Sequence, residues 1–311
     1  MAVTVGGQGV LGVAIEAVQG TWLTPAKFIP ILSESLEFVE DKVMRKPIIG
    51  VNDPFAAKQG FTHIEGDIVF ELTADTLIYF LYAMNMSIVK SGSGTYTYTC
   101  TPSTYSTPNK TLSITVVRND VVFGYAGCIV SSLEVTMQDN IMVGTMTIMG
   151  MTETSQTEPT PTWPTTDVAG PGIVDIKFGG TSRTDCDSFS ISIDDGAEPF
   201  YPIRTGGIRS AKEIRFGERE VTLSFDLDFE NNTDYTAFKA QTQPAVIVQA
   251  TIAADNDIKF DFKKCTWMNY APVLSAVGDI VRATGVELRP VYDSVTSKVA
   301  EITVKTTVSI T

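Results

Sequence analysis

Short stretches in which apolar and polar residues alternate run through most of the chain and set the strongest limit on its fold. Ile68, Phe70 and Leu72 belong to one such stretch, and residues 95–100 read Thr-Tyr-Thr-Tyr-Thr-Cys. A period of two places successive side chains on opposite faces of a strand, and threonine and tyrosine favour strands. Residues at helical spacing are confined to a few places. The sequence therefore predicts a mainly β protein.

Further segments with strand character are separated by turn-forming residues, and Asn119 and Asp120 lie between two of them as a hairpin turn would. These segments are residues 112–118, 121–125, 128–137, 141–149, 188–193, 221–229, 245–252, 257–262, 279–289 and 300–310. Apolar residues at helical spacing occur at 73–85, where Thr73 is the expected N-cap, and at 231–241. We predict one short helix at each of these two places.

A segment rich in threonine and proline divides the chain almost in half. It covers residues 153–172, and its composition is typical of a linker because proline and glycine interrupt regular structure. We therefore predict an N-terminal arm at residues 1–26, a first β-domain at 27–152, the linker at 153–172 and a second β-domain at 173–311.

The two halves resemble each other. Residues 119–128 read NDVVFGYAGC and residues 256–265 read NDIKFDFKKC, while residues 68–72 resemble residues 223–227. In the first half the predicted helix follows the strand at 68–72, and in the second half it follows the strand at 223–227. In both halves the NDxxF hairpin comes after the helix. We predict that the halves are copies of one domain. The expected fold is mainly β, with two tandem β-sandwich or half-barrel domains, each with one short flanking helix.

The charge and the cysteine content exclude several classes of function. The formal net charge is −13, and both halves are acidic, which argues against a domain that binds nucleic acid by neutralising phosphates. The four cysteines form no C-x-x-C pair and only one histidine is present, so no zinc site is predicted. No apolar run is long enough for a membrane-spanning helix. We expect no cofactor, no metal and no membrane partner.

Two features could suggest chemistry, but their surroundings do not support it. Residues 7–12 read G-x-G-x-x-G, yet Gly20 and Pro25 would interrupt the helix that a dinucleotide site needs. We interpret this stretch as a flexible or turn-rich N-terminal arm. The single histidine, His63, lies within a predicted strand, and no G-x-S-x-G elbow is present. The sequence does not predict an enzyme.

The order of several motifs resembles a known family. Residues 12–21 read GVAIEAVQGT and are followed by Gly50, by Gly60 and by the strand-like GDIVFEL at 66–72, with GCIVSSLEV later at 127–135. In this order they resemble the major tail tube proteins of long-tailed, siphovirus-type bacteriophages. The resemblance covers the first half directly and the second half mainly through the duplication.

The resemblance implies a structural subunit that polymerises into stacked rings, which form a hollow conduit for DNA ejection into the host cell. The implied partners are further copies of the chain. Because each chain would supply two equivalent domains, we expect rings of three chains with pseudo-sixfold symmetry; the alternative is six chains per ring, with one domain of each chain on the outside. Tape-measure protein and DNA would pass through the lumen without specific binding, and the implied location is the virion tail, after assembly in the host cytoplasm. Two alternatives stay open: a capsid-decorating or surface β-domain protein, and a jelly-roll glycosidase, which would need two facing carboxylates.

A long segment between two predicted strands is the candidate contact between rings. Residues 39–60 are too many for a tight hairpin loop and include apolar and basic side chains, so we expect a loop that reaches into the neighbouring ring. Residues 199–219 form a shorter basic analogue in the second half. The predicted inter-ring contact residues are Val43, Met44, Arg45, Lys46, Ile48, Ile49, Phe55, Lys58, Arg204, Arg209, Lys212 and Arg215.

Overall fold

The computed structural model describes residues 9–48, 53, 55–103, 110–204, 206–274 and 280–310. The chain is mainly β with antiparallel pairing between strands, which confirms the predicted fold class. The strands of the first half are β1 (Val10–Ile15), β2 (Lys27–Ile29), β3 (Ile31–Glu34), β4 (Glu37–Arg45), β5 (Ala56–Glu71), β6 (Met86–Ser93), β7 (Thr95–Pro102), β8 (Leu112–Arg118), β9 (Val121–Gln138), β10 (Ile141–Gly150) and β11 (Thr152–Ser155).

The strands of the second half follow a short 3-10 helix at Pro171–Ile173. They are β12 (Val174–Phe178), β13 (Thr181–Ser182), β14 (Cys186–Asp194), β15 (Glu198–Phe200), β16 (Glu213–Arg215), β17 (Glu220–Asp228), β18 (Val246–Ala253), β19 (Asn256–Phe262), β20 (Cys265–Asn269), β21 (Pro272–Val273), β22 (Arg282–Pro290) and β23 (Glu301–Thr306).

Two sheets join the halves. In the sheet that we call the long sheet, strands β4, β5, β10, β9, β14, β17, β22 and β20 lie side by side in this order. Strand β9 of the first half pairs there with β14 of the second half, and Leu133 lies opposite Ile193. Strand β7 likewise pairs with β23, and Tyr98 lies opposite Val304. Backbone hydrogen bonds therefore connect the halves directly.

The same pattern of strand pairing occurs in both halves. In the first half β1 pairs with β8, β8 with β9, β9 with β11 and with β10, β10 with β5, and β5 with β3 and β4. In the second half β12 pairs with β18, β18 with β19, β19 with β23, β20 with β22, β22 with β17, and β17 with β14. Strands β19 and β20 together correspond to the single strand β9. This agreement is what the predicted internal duplication would produce.

Each half has one short helix after the equivalent strand, as predicted. Helix α1 (Ala74–Ala83) follows β5, and the Thr73 side chain caps it by accepting a hydrogen bond from the Thr76 backbone N–H. Its apolar residues fill the core, where the Phe80 ring lies 5.1 Å from the Phe70 ring. Helix α2 (Thr233–Lys239) follows β17 and buries no residue fully. Only α1 is therefore a main component of the core.

The N-terminal segment is not a free arm throughout, and the prediction was wrong for residues 10–15. They form β1, which lies between β2 and β8 and buries Leu11 and Val13 completely. Gly12 allows the close approach of Pro25, since a Cβ atom at this position would lie 2.6 Å from the Pro25 Cβ atom. The end of the G-x-G-x-x-G pattern is thus part of a packed strand, with no helix after it.

The segment at 153–172 packs against the first half. Its first residues continue β11, the Met142 backbone N–H donates to the Ala169 carbonyl, and Ala169 is fully buried. The Thr166 hydroxyl donates to the Asp75 carboxylate at 2.6 Å, beside the start of α1. The predicted linker is therefore held against the first half by backbone and side-chain hydrogen bonds.

The two similar hairpins align with an offset of two residues. In the first half Asn119 and Asp120 form the turn, as predicted, whereas in the second half Ala254 and Asp255 form it and Asn256 begins β19. The NDxxF segments match in sequence without a gap, but the turn residues of the two hairpins match only when the second segment is shifted by two residues. Strand β9 is continuous, whereas two residues separate β19 from β20. This insertion of two residues brings Cys128 and Cys265 back into alignment.

Candidate functional site

The predicted loop at 39–60 is instead the end of a long β-hairpin. Strand β4 continues to Arg45 and β5 begins at Ala56, and these two residues lie opposite each other. We call residues 41–59 the arm; Ile49 lies outside the described residues. The prediction of a loop was wrong because both faces of this hairpin meet solvent, so that its strands lack the alternation that a half-buried strand shows.

Large apolar side chains of the arm have no place in the core of their own chain. Val43, Met44 and Phe55 are 55%, 51% and 56% exposed, and Ile48 is fully exposed. Exposed apolar residues that lie close together mark a surface that binds another molecule or another copy of the chain. The arm is therefore the strongest candidate for a contact surface on this chain.

Basic side chains surround these apolar residues. Arg45, Lys46 and Lys58 are exposed, and the Arg45 guanidinium lies 5.4 Å from the centre of the Phe55 ring. No ion pair within the described part of the chain involves any of the three. The arm is thus a positively charged, partly apolar projection on an acidic protein.

A segment of the second half supports the base of the arm. We call residues 199–219 the brace. The Tyr201 ring stacks on the Phe61 ring, with centres 4.6 Å apart and planes 16° apart. The Tyr201 hydroxyl also lies 2.8 Å from Nδ1 of His63. Burial, together with the charges of Asp41 and Glu65, raises the pKa of Tyr201 to about 12, so its hydroxyl remains protonated and can donate to His63.

Backbone and charge contacts complete this attachment. Ser210 pairs in parallel with Thr62 of β5, through one hydrogen bond from the Thr62 N–H to the Arg209 carbonyl and another from the Ala211 N–H to the Thr62 carbonyl. The Arg209 guanidinium donates to the Glu40 carboxylate and to the Gly60 carbonyl. The brace therefore holds both strands of the hairpin where the arm leaves the sheet.

The four basic residues predicted in the second half have different surroundings. Arg209 contacts the base of the arm, as described above. Arg204 donates to the Ser210 carbonyl within the brace, and Arg215 pairs with Glu213 and covers the Phe200 ring at 3.5 Å. The Lys212 N–H donates to the Phe200 carbonyl. The brace is thus no second arm, and a contact of these residues with another ring stays a prediction.

Asp194 and Asp195 are adjacent carboxylates, and the contacts of Asp195 are structural. Asp195 is buried, accepts hydrogen bonds from the Arg219 guanidinium and from the Asn85 N–H, and so ties the second half to the end of α1. Burial, partly offset by Arg219, raises the pKa of Asp195. In the described ranges no group of three or more metal-ligating side chains could hold a metal ion.

Removing the brace contacts should loosen the arm without unfolding the chain. In a Tyr201→Ala/Arg209→Ala variant we expect amide hydrogens of residues 56–62 to exchange about thirtyfold faster, since a stacked aromatic pair and a half-buried ion pair each contribute about 1 kcal/mol and about 1.4 kcal/mol is a factor of ten. Hydrogen exchange measured by mass spectrometry tests this, with Arg215→Ala as the control variant. Unchanged exchange at 56–62 would show that the brace does not hold the arm.

Sequence comparison relates the chain to one protein family. A family model described as phage tail tube protein matches residues 6–309, nearly the whole chain. No curated protein matches the chain. Across the residues that the structure describes, none of the helices has both the length and the apolar character needed to cross a membrane.

Proposed function

This chain belongs to the phage tail tube protein family, and on that premise we propose that it is a non-enzymatic subunit whose copies form stacked rings around a channel for DNA. As a member of this family it is a component of the virion tail. We further propose that it assembles in the host cytoplasm and that the finished tube guides DNA into the host cell during ejection.

The pairing of β9 with β14 is the observation that carries the proposal of a ring. It joins the first half to the second by strand addition within the long sheet. Among the described residues, the corresponding edges at the two ends of this sheet pair with no further strand: β20 corresponds to the end of β9, and β3 with β4 corresponds to β14. Unpaired edges invite pairing with another chain. Repeating the internal joint between chains would join β20 of one copy to β3 and β4 of the next.

Three chains would close such a ring. Each chain supplies two similar halves, so three chains supply six, and head-to-tail contacts close into a ring when the rotation between units fits. The internal joint and the joint between chains would then be alike, which gives pseudo-sixfold symmetry. Counting the chains in isolated rings by native mass spectrometry tests this number, and six chains per ring would contradict it.

The face of the long sheet that points away from the core is strongly acidic, and in a closed ring it would line the channel. Thr147 donates to Asp67 and Ser190 to Glu134 across neighbouring strands of this face. Its carboxylates are those of Glu37, Glu65, Asp67, Glu71, Glu134, Asp194, Glu220, Asp226, Asp228 and Glu287.

Positive charge on this face is already neutralised within the chain. Among the described residues of these strands outside the arm, the basic side chains of the face are Arg282 and Arg289. Arg282 pairs with Asp187 and Asp228, and Arg289 pairs with Glu220 and Glu287. A wall of this kind repels phosphates, which suits a channel through which DNA and the tape-measure protein pass without specific binding.

The purified protein should therefore not bind duplex DNA. At physiological salt we expect no shift of a labelled duplex in a native gel at micromolar protein, because an acidic surface releases no counterions from DNA. A variant with Glu134→Lys, Asp226→Lys and Glu287→Lys serves as a positive control and should bind in a salt-dependent way. Submicromolar binding by the unmodified protein that weakens with salt would contradict the proposed channel.

The arm would connect one ring to the next. It projects beyond the sheet at one end, and its exposed apolar residues need a partner that the chain itself does not supply. Electron microscopy of the purified, concentrated protein tests the whole proposal. We expect hollow tubes with a regular axial repeat, and isolated monomers under all conditions would contradict it.

A further inference from the structure

We propose that the arm docks into a groove at the far end of the long sheet in a chain of the neighbouring ring. This inference rests on the proposed stacking of rings and names the surface that receives the arm. The groove lies in the second half between β12 and β14, which belong to different sheets, and next to the turn that joins β9 to β10.

The groove has an apolar floor and an acidic rim. Its volume is about 550 Å³. The side chains of Met137, Val174, Ile176 and Phe189 form the apolar part of its lining, and Asp139 and Asp187 provide the acidic part.

Strand directions place the arm and the groove at opposite ends of the molecule. Strand β5 runs from the arm to Glu71, and Glu71 lies opposite Val143 near the start of β10. The turn before β10 contains Asp139, so it lies at the end of the sheet away from the arm. Ser190 of β14 lies opposite Thr136, which brings the start of β14 to the same end. Rings stacked in one orientation would therefore bring the arm of one ring to the groove of the next.

The charges of the two surfaces are complementary. Arg45, Lys46 and Lys58 of the arm have no ion-pair partner in the described part of their own chain, as noted above. At the groove, Asp139 is exposed, and within the described ranges the exposed Asp187 has one ion-pair partner, the exposed Arg282 at 3.1 Å. The groove also contains Arg183, but two carboxylates, those of Asp185 and Asp234, already neutralise it. Basic side chains of an incoming arm would thus meet acidic ones at the rim.

The equivalent cleft of the first half does not fit the arm. It lies between β1 and β3, is about 290 Å³ in volume, and is lined by Glu34 and Arg118, which bind each other through two hydrogen bonds. It therefore offers less space and no free negative charge. Each chain has one arm and one matching groove, so every arm in a stack of identical rings has one receptor.

Charge reversal on both surfaces tests the proposed docking. We expect the groove variant Asp139→Asn/Asp187→Lys and the arm variant Arg45→Glu/Lys46→Glu each to form tubes only at protein concentrations at least tenfold higher than the unmodified chain. A chain that carries all four substitutions should recover most of the loss, because opposite charges again face each other. Asn tolerates the positive φ of residue 139, and Asp187 takes part only in an exposed ion pair, so the groove variant should fold normally.

A control with the same change in charge separates docking from general electrostatics. Glu158→Lys/Asp255→Asn alters two exposed residues away from the groove and should leave polymerisation unchanged. The docking proposal is overturned if the groove variant polymerises like the unmodified chain, or if the combined variant does no better than either parent. Absence of tubes from the unmodified chain itself would overturn the proposed function together with the docking site.

Discussion

Chains without the arm are expected to fold and to close into rings but not to stack into tubes. Replacing residues 43–58 by Asn-Gly joins Lys42 to Gln59, which lie opposite each other in the hairpin, through a turn that suits two antiparallel strands. Of the described residues removed, all but the half-buried Ala56 are exposed and none belongs to the core, so the melting temperature should change little.

The expected loss of polymerisation is large because several apolar side chains would lose their burial at once. Full burial of one such side chain contributes about 1.5–3 kcal/mol. Even half of that for Val43, Met44, Ile48 and Phe55 together amounts to about 4 kcal/mol, which corresponds to roughly a thousandfold higher concentration for stacking. Light scattering against protein concentration, with electron microscopy of the product, measures this effect.

Two further chains identify what in the arm is responsible. A full-length arm with Val43, Met44, Ile48 and Phe55 replaced by serine keeps the backbone and removes the apolar surface, and it should polymerise as poorly as the shortened chain. Removal of residues 91–94, the exposed end of β6 and the turn before β7, is the control and should have no effect. Normal tubes from the chain without the arm would show that rings stack through another surface.

Local pattern was enough to predict most strands and both helices. Residues such as Ile68 and Phe70 alternate because one face of β5 is buried, and Thr73 caps α1 by a contact only three residues away. Strand β9 was predicted as two strands because it serves two sheets in turn. It pairs with β8 up to Cys128 and with β10 from Ile129 onward.

Strand β9 changes direction at Gly127 without ending, and the glycine is the one sign of this bend in the sequence. Gly127 has a φ of +68°, in the left-handed region, where glycine is the residue without steric cost. The strand can therefore turn from one sheet into the other without ending. A glycine next to a strand candidate was interpreted as a boundary, which explains the wrong division.

The candidate site was predictable in composition but not in geometry. The apolar residues of the arm were recognised because side chains such as Met44 and Phe55 had no apparent place in their own domain. The brace was missed because its contacts join residues far apart in sequence, such as Phe61 with Tyr201 and Glu40 with Arg209. Stacking and parallel pairing of this kind leave no periodic signal in either segment.

Cysteines placed across the proposed joint between chains should link a ring into one covalent unit. Matching residues 68–72 to residues 223–227 gives the register. Glu134 lies opposite Ser192 in the internal joint. The residue that corresponds to Glu134 is Asn269, which lies opposite Glu287 as Glu134 lies opposite Thr145. The residue that corresponds to Ser192 is Ser35 of the next chain, whose N–H donates to the Asp67 carbonyl. In a Cys186→Ser background, mild oxidation of the Ser35→Cys/Asn269→Cys variant should give a denaturing-gel ladder that ends at three chains. Directly opposite residues of antiparallel strands are close enough for a disulfide.

The internal joint provides a matched control for this experiment. A Glu134→Cys/Ser192→Cys variant has the same register within one chain and should form a disulfide without linking chains. Shifting one cysteine to the exposed Leu32, in Leu32→Cys/Asn269→Cys, should abolish linkage between chains, because three residues of displacement exceed the reach of a disulfide. If the internal pair oxidises and the Ser35→Cys/Asn269→Cys pair does not, the open edges of the long sheet are not the ring joint. A ladder that ends at six chains would retain the joint but replace the trimer by a hexamer.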